Sequence, residues 1–228
     1  MDVLFIPVKY KKRLSKDFME KIAEIPCRNM GIFTTIQFIE QLKELEDFLK
    51  KKGKKVFVGE PTYRAIEKGQ VLGCDITSPL SISKDVDCYV YLGSGYFHSI
   101  SVALETNKPI YQANPITKIV SKLSEKEINR YKKLREDAIS KAKKAKVYGI
   151  LVCTKPGQYN LELAKRIKKK IEEKGKKAYI FMFETLSPES LLDFPDIEAW
   201  INTACPRIAI DDIERFDKPI VNPNDLNM

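Results

Sequence analysis

Met30-Gly31-Ile32-Phe33-Thr34-Thr35 and, well over a hundred residues later, Tyr148-Gly149-Ile150-Leu151-Val152-Cys153 are the two stretches on which the fold turns. Each is a short apolar run of strand length. After the first, apolar residues recur at helical spacing (Phe38, Leu42, Leu45, Phe48, Leu49) until Lys52-Gly53-Lys54-Lys55-Val56-Phe57, where a glycine stops the helix and a new strand begins. After the second, Leu161, Ala164, Ile167 and Ile171 lead to Lys174-Gly175-Lys176-Lys177-Ala178-Tyr179. Both are strand–helix–strand units, which call for a parallel pair.

The correspondence continues in order. Gly31 and Gly149 are offset by 118, and Gly53 and Gly175 by 122, so the loop of the second copy is about four residues longer. Asp85-Val86-Asp87-Cys88-Tyr89-Val90 matches Asp196-Ile197-Glu198-Ala199-Trp200-Ile201 at 111, and Lys108-Pro109-Ile110 matches Lys218-Pro219-Ile220 at 110. Four landmarks in one order identify an internal duplication. The expected fold is α/β: two tandem, doubly wound, Rossmann-like parallel-sheet units, residues 1–120 and 121–228. The second opens with a long helix from Ser124-Glu125-Lys126-Glu127, a capping-box pattern, through about Ala145.

Composition narrows the function classes. No run approaches the ~18 apolar residues of a membrane span, and the opening MDVLFIPVKYKKRL is too weakly apolar for a signal segment, so a cytoplasmic location is expected. The net charge of +9 would suit a polyanionic partner. Much of the excess, however, lies in Lys50 to Lys55, Lys165 to Lys170 and Lys176-Lys177, on or just after amphipathic helices, where it reads as solvated surface rather than a specific nucleic-acid face. No P-loop, HExxH or nucleophile elbow occurs.

Five cysteines, Cys27, Cys74, Cys88, Cys153 and Cys205, are odd in number, widely spaced and free of CxxC pairs, which argues against a disulfide framework and against a zinc finger. Any metal site is left for the fold to assemble. In parallel α/β sheets ligands gather at the carboxyl ends of strands. The candidate loops are therefore Thr34 to Gln37, Gly69 to Asp75, Gly93 to His98, Cys153 to Asn160 and Thr203 to Asp211. Cys74 falls in a glycine-containing loop expected to precede a strand, and Cys205 follows a strand and precedes Pro206, so both read as ligand or reactive thiols. Cys88 reads as a core thiol and Cys27 as incidental. Cys153, at a strand end, either joins a site or packs. His98, the only histidine, closes Gly93-Ser94-Gly95-Tyr96-Phe97-His98, whose glycines permit close approach to a ligand but lack the third glycine of a dinucleotide fingerprint.

Gly69-Gln70-Val71-Leu72-Gly73-Cys74, the Gly93-Ser94-Gly95-x-Phe97-His98 loop, Ala204-Cys205-Pro206-Arg207 with Asp211, Thr35-x-Gln37, and the helix end Lys141-Ala142-Lys143-Lys144-Ala145-Lys146 together resemble the diphthamide-synthesis family. The resemblance implies three related α/β units, each giving one cysteine to a [4Fe–4S] cluster. The remaining iron would hold S-adenosylmethionine, and a 3-amino-3-carboxypropyl group would pass to a histidine of elongation factor 2. Cys74 and Cys205 match the second and third cluster positions, and Gln37, Gly93, Gly95, His98, Arg207 and Asp211 fall in the cofactor-binding positions. Val3 to Val8 match the start of the family's second unit, so the unit bearing the first cysteine is not represented, and Thr154-Lys155-Pro156-Gly157-Gln158 departs from the arginine-containing form of that loop. A third ligand would come from Cys153, Cys27, a non-cysteine group or a partner chain. The resemblance thus implies an enzyme or enzyme subunit, as a homo-oligomer or paired with a full-length homologue. The alternatives are a non-catalytic or electron-relay subunit and a scaffold without a cluster.

Overall fold

The computed structural model describes residue 4 and residues 6–227. The matched segment Val3 to Val8 thus lies partly outside the described residues. The chain divides into two units, Met1–Ile128 and Asn129–Met228.

In the first unit α1 (Lys16–Ala23) leads to β1 (Asn29–Thr34), α2 (Ile39–Lys51), β2 (Lys55–Phe57), α3 (Thr77–Ser81), β3 (Cys88–Leu92), α4 (Phe97–Thr106), β4 (Ile110–Asn114) and β5 (Ile119–Lys122). The sheet order is β2-β1-β3-β4-β5, parallel except for β5. That antiparallel strand has no counterpart in the sequence reading. It returns through a tight turn in which the Asn114 side chain accepts the Ile116 and Thr117 amides and Lys118 takes a left-handed conformation.

The second unit contains α5 (Glu125–Lys144), whose first turn lies before the division, then β6 (Val147–Cys153), α6 (Leu161–Glu172), β7 (Lys177–Phe183), β8 (Ala199–Asn202) and β9 (Ile220–Val221). Its sheet, ordered β7-β6-β8-β9, is parallel throughout and repeats the first four strands of unit one in topology. Where unit one has α4, unit two has only 3₁₀ turns at Pro206–Ala209 and Ile213–Arg215.

Each sheet carries apolar clusters fed by amphipathic helices. In unit one, Leu42, Leu45 and Leu49 of α2 and Phe18 and Ile22 of α1 cover Met30, Ile32, Val90 and Leu92. In unit two, Ala138 and Ala142 of α5 with Ile167 and Ile171 of α6 cover Tyr148, Ile150, Val152 and Ile201. Burying each large aliphatic side chain contributes about 1.5–3 kcal/mol.

The paired landmarks are paired contacts. Gly31 stands beside Tyr89 on the neighbouring strand and Gly149 beside Trp200, each glycine leaving room for the aromatic ring. The Asn29 amide donates to Asp87 at 3.0 Å, and the Lys146 amide donates to Glu198 at 2.5 Å. Lys54 donates to the carbonyls of Ile25 and Cys27, and Lys176 to that of Lys143. Lys108 donates to the Val86 carbonyl, and Lys218 to those of Phe194 and Pro195. Lys54 and Lys176, expected to be solvated, are instead half-buried clamps on the segment entering the first strand of each unit.

Three further expectations are corrected. Cys27 and Cys88 form a disulfide, with Cα atoms 6.2 Å apart. The pairing of β1 with β3 sets Cys88 beside Met30, and the turn into β1 brings Cys27 over the same buried face. Cys88 is therefore not a free core thiol, and Cys27 is neither incidental nor available as a metal ligand. The loop carrying Cys74 runs into a short helix, α3, and not into a strand.

Candidate functional site

In unit one the loops at the carboxyl ends of β1 and β3 are built around Thr34. Its hydroxyl donates to the Leu92 carbonyl at 2.5 Å, tying the two strand ends together. Its amide donates to Gly69 O and its carbonyl accepts the Val71 amide, both at 2.8 Å, so residues 69–71 lie along the end of β1. Gly69 has φ +78°, and a Cβ there would stand 2.4 Å from Leu42 Cδ2, so only glycine fits.

Cys74 is held on this frame by two buried side chains. Gln70 accepts the Ile66 and Glu67 amides at 3.0 and 2.9 Å. Asp75, 2% exposed, accepts the Arg64 and Ala65 amides at 2.6 and 2.7 Å and both the amide and hydroxyl of Thr77 at 3.0 and 2.6 Å. Burial alone would raise this carboxyl, but its hydrogen bonds from Ala65, Thr77 and Arg64 outweigh that and hold it below the usual carboxylate range. The Cys74 thiol is free and half-buried, with the Arg64 guanidinium 3.8 Å from its sulfur.

The remaining predicted residues of this unit differ in what they do. Gln37 lies in the 3₁₀ turn Ile36–Phe38 with an exposed side chain, and its carbonyl accepts the Tyr10 amide at 2.7 Å. Gly95 is exposed at φ +76° with nothing near its missing Cβ. Gly93 is buried against Tyr91. His98 sits in the first turn of α4 with Nδ1 3.1 Å from the Tyr91 hydroxyl.

In unit two Cys205 precedes the 3₁₀ turn Pro206–Ala209, with Pro206 at the position where a missing N–H is harmless. Its thiol is half-buried and takes no part in a disulfide. Asparagines fix the loop. Asn202, 1% exposed, donates to Cys205 O at 2.8 Å and to Asn222 Oδ1 at 2.9 Å while its own Oδ1 accepts the Ala204 amide at 3.1 Å. Asn222 donates to Pro206 O, and Asn160 to Thr203 O. Sequence reasoning missed these amides; the available signal was an asparagine ending one strand, before Thr-Ala-Cys-Pro, and another directly following a strand, before Pro223. Arg207 and Asp211 come together, Nε donating to Oδ2 at 2.6 Å. Burial pushes the Asp211 carboxyl up despite that pairing.

Cys153 lines a separate cleft of about 160 Å³ with Lys155, Gln158, Phe183, Leu186 and Arg215 among its walls. The thiol is free but 2% exposed, its sulfur accepting the Lys155 amide at 3.4 Å and lying 3.6 Å from Glu184 O. Among the described residues no three Cys, His, Asp or Glu side chains gather as a metal site. A [4Fe–4S] group with one open iron needs three thiolates. Cys74 and Cys205 each sit half-buried on a preformed loop of their own unit, as a ligand thiol requires. Cys153, 2% exposed, lies in its own cleft and presents less of its thiol.

Two duplicated α/β units, each with a half-buried cysteine thiol on a braced loop near a strand's carboxyl end, define a thiol-bearing class of doubly wound protein. The family model described as "Putative diphthamide synthesis protein" matches residues 1–228, and the chain belongs to that family. The 2-(3-amino-3-carboxypropyl)histidine synthase of Pyrococcus horikoshii is 32% identical over 227 residues, covering 99% of this chain and 64% of the relative. The Methanocaldococcus jannaschii synthase is 32% identical, covering 93% and 55%, and subunit 1 of the Caenorhabditis elegans synthase is 30% identical, covering 87% and 50%. The crystal structure of Dph2 from Pyrococcus horikoshii with a 4Fe-4S cluster superposes with a TM-score of 0.77 at 33% identity, over 93% of this chain and 59% of that one. The chain thus spans about half to two thirds of the length of these relatives. Among the described residues no helix is long and apolar enough to cross a membrane.

Proposed function

We propose that this chain takes part in forming 2-(3-amino-3-carboxypropyl)histidine on elongation factor 2, as a subunit that supplies Cys74 and Cys205 to an iron–sulfur centre. S-adenosylmethionine is the proposed donor of the transferred group. The observation that carries the reading is the pair of half-buried thiols outside the disulfide, one on a braced loop in each unit of a chain that matches its family throughout. When bound, the centre would supply the electron that cleaves the donor. The chain's own residues hold the two thiols in place: Asp75 and Gln70 around Cys74, Asn202 and Asn222 around Cys205. With two fitting thiols where three are needed, the third would come from another chain, a second copy or a longer homologue.

That shortfall also favours a second reading, a non-catalytic subunit paired with a complete homologue. Anaerobic purification followed by iron and sulfide analysis and an absorption spectrum, with and without a full-length homologue, separates the two. Iron that disappears in Cys74→Ala and in Cys205→Ala supports the contributing subunit, and transfer of a labelled group from S-adenosylmethionine to elongation factor 2 would then be the assay. Iron unaffected by both substitutions, or none after reconstitution with the homologue, would leave the non-catalytic reading.

A further inference from the structure

Tyr91 is 1% exposed in the first sheet, its ring 5.3 Å from that of Phe33. Its hydroxyl has one hydrogen-bond partner among the described residues, Nδ1 of His98 at 3.1 Å. A phenol brings one proton to such a contact, and a neutral imidazole nitrogen is either donor or acceptor. Were Nδ1 the donor, the phenol proton would be left in the interior without an acceptor, a penalty of about 1–3 kcal/mol. An oxygen lone pair left without a donor is the milder fault. Burial also pushes the phenol up to about 12, so it keeps its proton at neutral pH.

We infer that Tyr91 is a positioning residue that donates to Nδ1 of His98 and thereby fixes the neutral ring with its proton on Nε2. Gly93 is part of the same device, because a Cβ there would lie 2.5 Å from both Cζ and Oη of Tyr91 and drive the hydroxyl off line. This glycine makes room for the phenol tip, a different cause from the close ligand approach that the loop pattern suggested. His98, half-buried at the start of α4, then carries its proton on the second nitrogen, as an N–H donor. Such a group suits an acceptor oxygen, a carboxylate or carbonyl, and does not suit a metal ion or a proton to be abstracted. The assignment of a ligand to this loop rests on the function proposed above; the tautomer does not.

His98 is the only histidine, so ¹⁵N-edited NMR of the full chain as isolated, at neutral pH, reports a single imidazole. The expected spectrum has Nε2 protonated and Nδ1 unprotonated. Tyr91→Phe and Gly93→Ala should each raise the share of ring carrying its proton on Nδ1, whereas Tyr89→Phe, whose hydroxyl bonds Pro79 O, should leave it unchanged. A native ring carrying its proton on Nδ1 overturns the inference without recourse to any variant. So does an unchanged tautomer in Tyr91→Phe when thermal melting shows that variant folded. Iron content plays no part in either outcome, so failure of the cluster reading would be seen separately.

Discussion

Gly149 lies directly against the indole of Trp200, so close that a Cβ on residue 149 would stand 2.1 Å from Cζ3. The indole is 1% exposed and flanked by Phe181 and Phe194, so it has little space to yield. Gly149→Ala should therefore lower stability by about 1–3 kcal/mol through overpacking. Urea unfolding measures this, and Gly149→Ala with Trp200→Leu should recover part of the loss relative to Trp200→Leu alone. Additive effects would show that the contact does not decide the choice of glycine.

The Cys27–Cys88 disulfide joins positions 61 residues apart. Closing a loop of that length stabilises by roughly 4 kcal/mol on the chain-entropy account. Cys27→Ala with Cys88→Ala should lower the melting temperature of unit one by ten degrees or more. Alkylation of the denatured, unreduced chain should modify three thiols, Cys74, Cys153 and Cys205, and mass spectrometry reads the count directly.

Asn202 satisfies two acceptors and one donor in a 1% exposed position. Asn202→Ala should destabilise unit two by about 1–3 kcal/mol by leaving those groups unpaired. Faster hydrogen exchange confined to the residues around Ala204 would locate the loss in the Cys205 loop. Exchange rising evenly across the unit would contradict a local brace.

Two aspartates should give opposite acid responses. The folded Asp75 carboxyl lies below its unfolded value near 3.9, so its contribution is present above that pH and is lost as pH falls through the folded value. Burial raises Asp211 above its unfolded value, so its contribution is full below about 3.9 and is lost as pH rises through the folded value. Asp75→Asn should flatten the acid loss of stability, and Asp211→Asn should improve stability near neutrality relative to acid. Denaturant midpoints across pH 2–7 test both signs.

Periodicity and repetition made the architecture legible. The strands at Gly31 and Gly149, the helix stops at Gly53 and Gly175, and the matched Asp87 and Glu198 are local patterns, and local patterns survive in a string of letters. What was not legible depends on contacts between distant residues. Cys27 and Cys88 meet only because β1 and β3 pair in one register, and Lys54 and Lys176 look like solvated charges until the fold places carbonyls at their tips. At the candidate site, Cys74 and Cys205 stood out through their loop contexts. Tyr91 and Asn202 did not, because a buried tyrosine and a strand-end asparagine are ordinary letters until their hydrogen-bond partners are known.

The sheet order of unit one has a consequence for how the polypeptide emerges from the ribosome. β1 lies between β2 and β3, and every strand pairing of that sheet involves residues up to Lys122. β1 must wait for β3, nearly sixty residues further on, before its second edge is covered. During that interval Met30, Ile32 and Phe33 sit on a nascent strand with one side unpaired, the state in which such a segment is most open to chaperones and to aggregation. Once Lys122 has cleared the exit tunnel, all the hydrogen bonds of the first sheet are available to it, while β7, the first partner β6 can find in the second sheet, begins more than fifty residues further on.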